Sequence, residues 1–140
     1  MMIFLRPALF AVATLLAGCM SAPPALDLSL SRATAPHGIR AEIKPLTEPV
    51  PLQKLHAWEL KLSTPDGQPV TGARITVDGG MPQHHHGLPT QPRVTKDLGN
   101  GRYLIEGVKF SMSGWWEIKL AIEGPNGTDK VTFNLVLPES

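Results

Sequence analysis

GWWEIKLAIEGPNGTDKVTFNLVL, residues Gly114 to Leu137, decides the fold. Trp116, Ile118, Leu120 and Ile122 recur at every second position, with Trp115, Glu117, Lys119 and Glu123 on the other parity. Val131, Phe133, Leu135 and Leu137 do the same against Lys130, Thr132, Asn134 and Val136. A period of two puts successive side chains on opposite faces of an extended chain, so each run is a strand with one apolar face. Between the runs stands EGPNG, and Asn-Gly tolerates the positive φ that tight hairpin turns require.

The same alternation extends outward. Ile39, Ala41 and Ile43 alternate with Arg40, Glu42 and Lys44; His56, Trp58, Leu60 and Leu62 share a face; so do Ala73, Ile75 and Val77. Val94 marks a short strand, and Tyr103 and Ile105 share a face until Gly107 interrupts, as a glycine at a β-bulge does. TPDGQP and LGNG supply further turns. No segment after the first twenty residues keeps a 3.6-residue period. Seven short strands in roughly 100 residues predict an all-β fold, an antiparallel immunoglobulin-like β-sandwich. Prolines in PLTEPVPLQ predict a rigid loop between the first two strands.

The chain opens MMIFLRPALFAVATLLAGC. Arg6 precedes an apolar run, Ala8 to Ala17, of about ten residues, too short to cross a hydrocarbon core of about 30 Å. That is the layout of a secretory signal. Leu16-Ala17-Gly18-Cys19 resembles the bacterial lipobox, whose cysteine receives a diacylglycerol and becomes the new N-terminus. Met20 follows in place of aspartate, which by the same resemblance implies the outer membrane, facing the periplasm. The organisation expected is a lipoprotein signal peptide at 1–18, lipidated Cys19 and a Pro-rich tether at 19–38, and the sandwich at 39–140. Within the tether, the short alternation Leu26-Leu28-Leu30 offers an edge strand, and His37 reads as a solvated loop histidine. Cys19 is the only cysteine, so the mature chain has no disulfide and no thiolate ligand. Removing Arg6 takes thirteen cationic against twelve anionic residues to twelve against twelve. A neutral domain makes no electrostatic case for nucleic acid, and membrane attachment falls to the acyl chains.

One stretch is unlike the strands: GGMPQHHHGLPTQP, Gly79 to Pro92. A connection of about fourteen residues is longer than most and often functional. If extended, it turns His84 and His86 the same way and His85 the other. Imidazole suits copper and zinc, and a thioether adds preference for Cu(I). Met81 precedes the histidines, and Met112 lies in KFSMSGWW; both stand beside polar turns, not inside apolar runs. Candidate metal ligands are therefore Met81, His84, His86 and Met112, with His85 and Trp115 at the rim. The plain alternatives are a solvated histidine trio and, for Met112, packing. His56, among Trp58, Leu60 and Leu62, reads as a satisfied core histidine. Protonation of free imidazole near pH 6.5 would compete with any metal. No Ser-His-Asp, Cys-His or phosphate-cradling motif is present, and the expectation is that the protein is not an enzyme.

The Met-Pro-x-His-x-His-Gly, Gly-x-Tyr and Phe-x-Met-x-Gly-x-Trp pattern resembles the YtkA-like domain family, itself distantly similar to the FixH family of oxidase-assembly proteins. It is carried here by Met81, Pro82, His84, His86 and Gly87; by Gly101 and Tyr103; and by Phe110, Met112, Gly114 and Trp116. His85 and Ser113 stand where relatives often carry a small residue and a proline. The resemblance implies an immunoglobulin-like fold and periplasmic copper handling. The expected role is a lipid-anchored carrier or buffer of a copper ion, serving a metalloprotein or assembly partner. The alternative is an envelope lipoprotein with a structural or non-metal docking role.

Overall fold

All seven anticipated alternations form strands, and two short strands join them. The computed structural model describes residues 22, 23 and 25–139; the predicted signal and Cys19 lie outside the described residues. The strands are β1 (Ser31–Ala33), β2 (Arg40–Pro45), β3 (His56–Ser63), β4 (Arg74–Met81), β5 (His86–Gly87), β6 (Arg93–Gly99), β7 (Arg102–Val108), β8 (Gly114–Gly124) and β9 (Gly127–Leu137). Every pairing is antiparallel, in the order β1-β2-β3-β7-β6-β4-β8-β9, with β5 beside β4. The sheet curls into an all-β, immunoglobulin-like sandwich. No helix among the described residues is long and apolar enough to cross a membrane.

Register follows the apolar pattern, because a slip of one residue would turn every apolar side chain to solvent. Trp116, Ile118, Leu120 and Ile122 of β8 are buried, as are Val131, Phe133, Leu135 and Leu137 of β9. They pack on Ala41, Ile43, Trp58, Leu60, Leu62, Tyr103 and Ile105 in one core. The glycine interruption in β7 is a bulge. His56 pairs with Val108 and Trp58 with Ile105, so Ala57 alone faces both Glu106 and Gly107, and Gly107 has φ +83°. Buried Tyr103 finds partners for its hydroxyl: it donates to the Val70 carbonyl at 2.7 Å and accepts the Ala73 N–H at 3.2 Å. That ties the β3–β4 connection to β7.

The sheet takes in part of the segment expected as tether. Ser31–Ala33 pairs with β2, and Ala35 and Lys130 exchange backbone hydrogen bonds at 3.0 and 2.7 Å, joining the two ends of the sheet. SRA is too short and polar for its period to show in the sequence. The β2–β3 loop is tied to the domain near its end: Leu52 bridges to Phe110, and Gln53 N–H donates to the Phe110 carbonyl at 2.7 Å.

Two ends of the sandwich follow from this order. At one, β2, β4, β7 and β9 finish and β3, β6 and β8 begin; the longest connection, 82–92, lies there with 46–55 and 109–113. The other carries the β3–β4 connection, 64–73, and the tight turns of the β6–β7 and β8–β9 hairpins.

Candidate functional site

The end with the longest connection carries His84, His85 and His86, and two adjacent glycines fix how they sit. A Cβ on Gly79 would lie 2.2 Å from the Glu117 carbonyl oxygen; on Gly80 it would lie 2.3 Å from the His86 carbonyl oxygen. Only glycine lets β8 and β5 close on the end of β4 from its two sides. Replacing Gly80 with alanine is expected to push β5 away and to lower the melting temperature. Thermal unfolding of the variant beside wild type measures the effect.

The histidine run is not extended. Pro82–His84 forms a 3-10 turn, His85 takes the left-handed conformation at φ 52°, and His86 returns in β5, opposite Met81. The simple alternation anticipated from sequence is therefore replaced by a turn, because the chain has to double back on β4. The turn still brings His84 and His86 together. Their ring centroids are 5.9 Å apart and their planes 24° apart. With metal–nitrogen bonds of about 2.0–2.1 Å, two imidazoles on one ion have centroids roughly 5 to 6.5 Å apart, from tetrahedral to linear arrangement. The observed spacing falls within that range.

One ring nitrogen of His86 is engaged and the other is not. Its Nδ1 lies 3.0 Å from the Gly87 carbonyl oxygen, which can only accept, so Nδ1 carries the proton. The lone pair is then on Nε2, and the carbonyl fixes the ring. Trp116 meets the His86 ring edge-on at 5.6 Å, and its indole N–H donates to the Met112 carbonyl at 3.0 Å. Trp116 thus ties the β7–β8 connection to the histidine turn.

The two methionines fare differently. Met81 and His86 are directly opposed in register, so their side chains share a face. Met81 is nonetheless fully buried, at 1% exposure, and its methyl would lie 3.0 Å from a Cβ on Gly114. Its flanking glycines and proline made it look like a surface residue; the turn folds over it instead. Met112 is 41% exposed, on the connection that Trp116 holds. Trp115 faces outward as expected and donates its indole N–H to Asn134 at 3.0 Å. His85 is exposed and shares a shallow groove with His86, Glu117 and Lys119, where Glu117 is ion-paired to Lys119 at 3.0 Å. Among the described residues, no group of three or more His, Cys, Asp or Glu side chains forms a metal cage. The donors here are two imidazoles and a thioether, a set suited to Cu(I) more than to a four-coordinate zinc site.

Two other histidines depart from their sequence readings. His56 is in the core, packed on Phe110 and Trp58. Its Nδ1–H donates to the Lys54 carbonyl at 3.0 Å, but buried Nε2 has no partner, so it is only half satisfied. His37 is not a free loop residue. At the opposite end of the sandwich its ring and backbone N–H both donate to Asp129, which is fully buried and also receives the Thr34 hydroxyl. The partners lie 92 residues apart, and nothing local announces them. Burial pushes the Asp129 carboxyl up, but the hydrogen bonds from Thr34 and His37 and the charge of His37 together hold it below its ordinary value. A carboxylate depressed on folding contributes stability that is complete above its unfolded pKa of about 3.9 and fades as pH falls through the folded value. Asp129→Asn is accordingly expected to lower the melting temperature at neutral pH and to flatten its decline below about pH 4. Melting curves of both proteins across the acid range test this.

Residues 37–121 match the family model described as YtkA-like. The match covers more than half of the chain and includes the histidine turn, the Met112 connection and Trp116. No curated protein and no solved structure matches the chain.

Proposed function

The chain belongs to the YtkA-like family, and from that premise we propose that it is a lipid-anchored envelope protein, acylated at Cys19, that carries or buffers a copper ion at the histidine turn. His84 and His86 supply the imidazoles, the thioether of Met81 lies on the same face as His86, and exposed Met112 is the further sulfur donor of the β7–β8 connection. The observation that carries the reading is the pair of imidazole rings 5.9 Å apart, with Nε2 of His86 left free by the bond its Nδ1 makes to Gly87.

The role is transfer, not catalysis. A neutral donor set without thiolate holds an ion less firmly than a cysteine site does, and both histidines are exposed to an incoming partner. Ligand exchange therefore needs no opening of the fold. The partner is an envelope metalloprotein or its assembly factor.

Trp116 offers a direct readout. Copper at His86 lies beside the indole and should quench its fluorescence in step with binding. A competition titration with Cu(I), followed at the indole and by the competing chelator, gives the affinity. Binding no tighter than about micromolar, or quenching that persists after both histidines are replaced, would remove the proposal.

A further inference from the structure

Six large apolar side chains are exposed among the described residues, and they are not spread evenly. Leu28, Leu46, Leu55, Met112 and Val136 all lie at the histidine end, whereas Leu98 lies at the other. Their placement follows from the pairing. Leu28 precedes Leu30, whose carbonyl accepts the Ile43 N–H near the end of β2; Leu46 follows β2 and donates its N–H to Ala57 at 3.0 Å. Leu55 immediately precedes β3, Met112 sits ahead of β8, and Val136 is opposed to Trp115 at the close of β9. Five of the six at one end make it the more apolar end of this small domain, and an apolar surface is where a domain meets a membrane or a partner.

The chain enters the fold at that same end. Asn134, which accepts from Trp115, donates its side-chain N–H to the Asp27 carbonyl at 3.1 Å. Leu26 lies seven residues after Cys19, so the intervening chain spans at most about 25 Å. The eleven residues of β8 run about 36 Å from one end of the sandwich to the other. A chain anchored at Cys19 is too short to let the hairpin end swing round to the surface that holds the anchor.

We infer that the histidine end lies against the bilayer, with Leu28, Leu46, Leu55, Met112 and Val136 seated in the headgroup region and the histidine turn presented at the membrane surface. This rests on the reading of Cys19 as the lipid anchor. Leucine and valine gain by leaving water for the interface, and Trp115 beside Val136 fits the headgroup level where tryptophan concentrates. The orientation defines the partner geometrically: an acceptor whose metal entry lies at the membrane surface, not out in the periplasm.

The test uses the full acylated chain in vesicles of phosphatidylethanolamine and phosphatidylglycerol, with a nitroxide on Leu55→Cys or on Leu98→Cys. The acylated Cys19 thiol does not compete for the label. Mass spectrometry establishes acylation of Cys19, and oxygen collision rates report contact with lipid. The label at Leu55 should show a several-fold higher collision rate than the label at Leu98. Adding Leu28→Glu, Leu46→Glu and Val136→Glu to the Leu55→Cys protein should lower it to the Leu98 value, with acylation and membrane attachment unchanged. An acylated protein whose Leu55 label stays in water overturns the orientation and leaves the anchor standing. A protein without acyl mass at Cys19 overturns both. A Leu55 label shielded only after a second protein is added overturns the bilayer as occupant in favour of that protein.

Discussion

Changing His84 and His86 together to alanine is expected to weaken Cu(I) binding by more than roughly 100-fold, because losing only the hydrogen-bond partner behind a ligating histidine already costs about 10–100-fold. Both side chains are exposed on a turn, and apart from the ring of His84, His86 reaches the neighbouring Gly87 carbonyl and the edge of Trp116. The melting temperature of the metal-free protein should therefore hardly move, since substitutions on the surface usually stay within about 0.5 kcal/mol. Metal-loaded wild type should melt higher than metal-free, by mass action, and the double variant should lose that gain. His85→Ala is the matched control: its ring is not stacked with the pair, and its backbone sets the turn. Equal affinity losses for the control and the double variant would mean that the turn, not the imidazole pair, holds the ion.

The largest stability effect is expected at Trp116. It is fully buried, touches Phe110 at 5.2 Å between ring centroids, and supplies the donor for the Met112 carbonyl. Truncation of a buried tryptophan to alanine costs about 3–5 kcal/mol in lost transfer energy and cavity. For a domain of this size that is a fall of roughly 10–20 °C in melting temperature. The same change frees the Met112 connection and removes the ring against which His86 rests, so metal affinity should fall as well. Trp116→Phe separates the two roles: it keeps an aromatic body beside Phe110 and His86 but leaves the Met112 carbonyl without its donor. Calorimetry and Cu(I) competition on both variants check this. A Trp116→Ala protein that melts within about 3 °C of wild type would contradict the packing described.

Alternation made the seven long strands and the Gly107 bulge legible, because a strand half-buried in a sandwich must repeat with period two. What the sequence concealed depended on contacts made across the fold. The edge strand offered by Leu26, Leu28 and Leu30 forms just after them, at Ser31–Ala33, whose three residues have no apolar signature of their own and pair because β2 offers an edge. The 3-10 turn and the positive φ of His85 follow from the need to reverse direction within four residues beside β4; a histidine gives no local warning of either. The adjacent glycines Gly79 and Gly80 were the available signal for two backbones closing on one strand, and they point to β5 once read that way. Met81 stood among turn residues and is core, while His37 stood in a Pro-rich stretch and is bonded to a buried carboxylate far along the chain. In the candidate site, the residue types and the pairing of His84 with His86 were visible; the turn that pairs them was not.

The strip of chain from Asp27 to His37 also governs how neighbouring molecules behave. Asn134 holds its start, the exchange between Ala35 and Lys130 holds its middle, and Asp129 holds its close, all on β9. Along the eleven residues of β9 the strip pairs backbone to backbone at Lys130 and is held by side chains at Asp129 and Asn134; an edge strand with no such neighbour offers an open ladder of hydrogen-bonding groups to the next copy. On the proposed anchor at Cys19, copies crowded in a plane would meet one another constantly, and the strip would act as a selvedge against the knitting together of adjacent sheets. A protease that trimmed it would then unmask a sticky border and release the domain in the same cut.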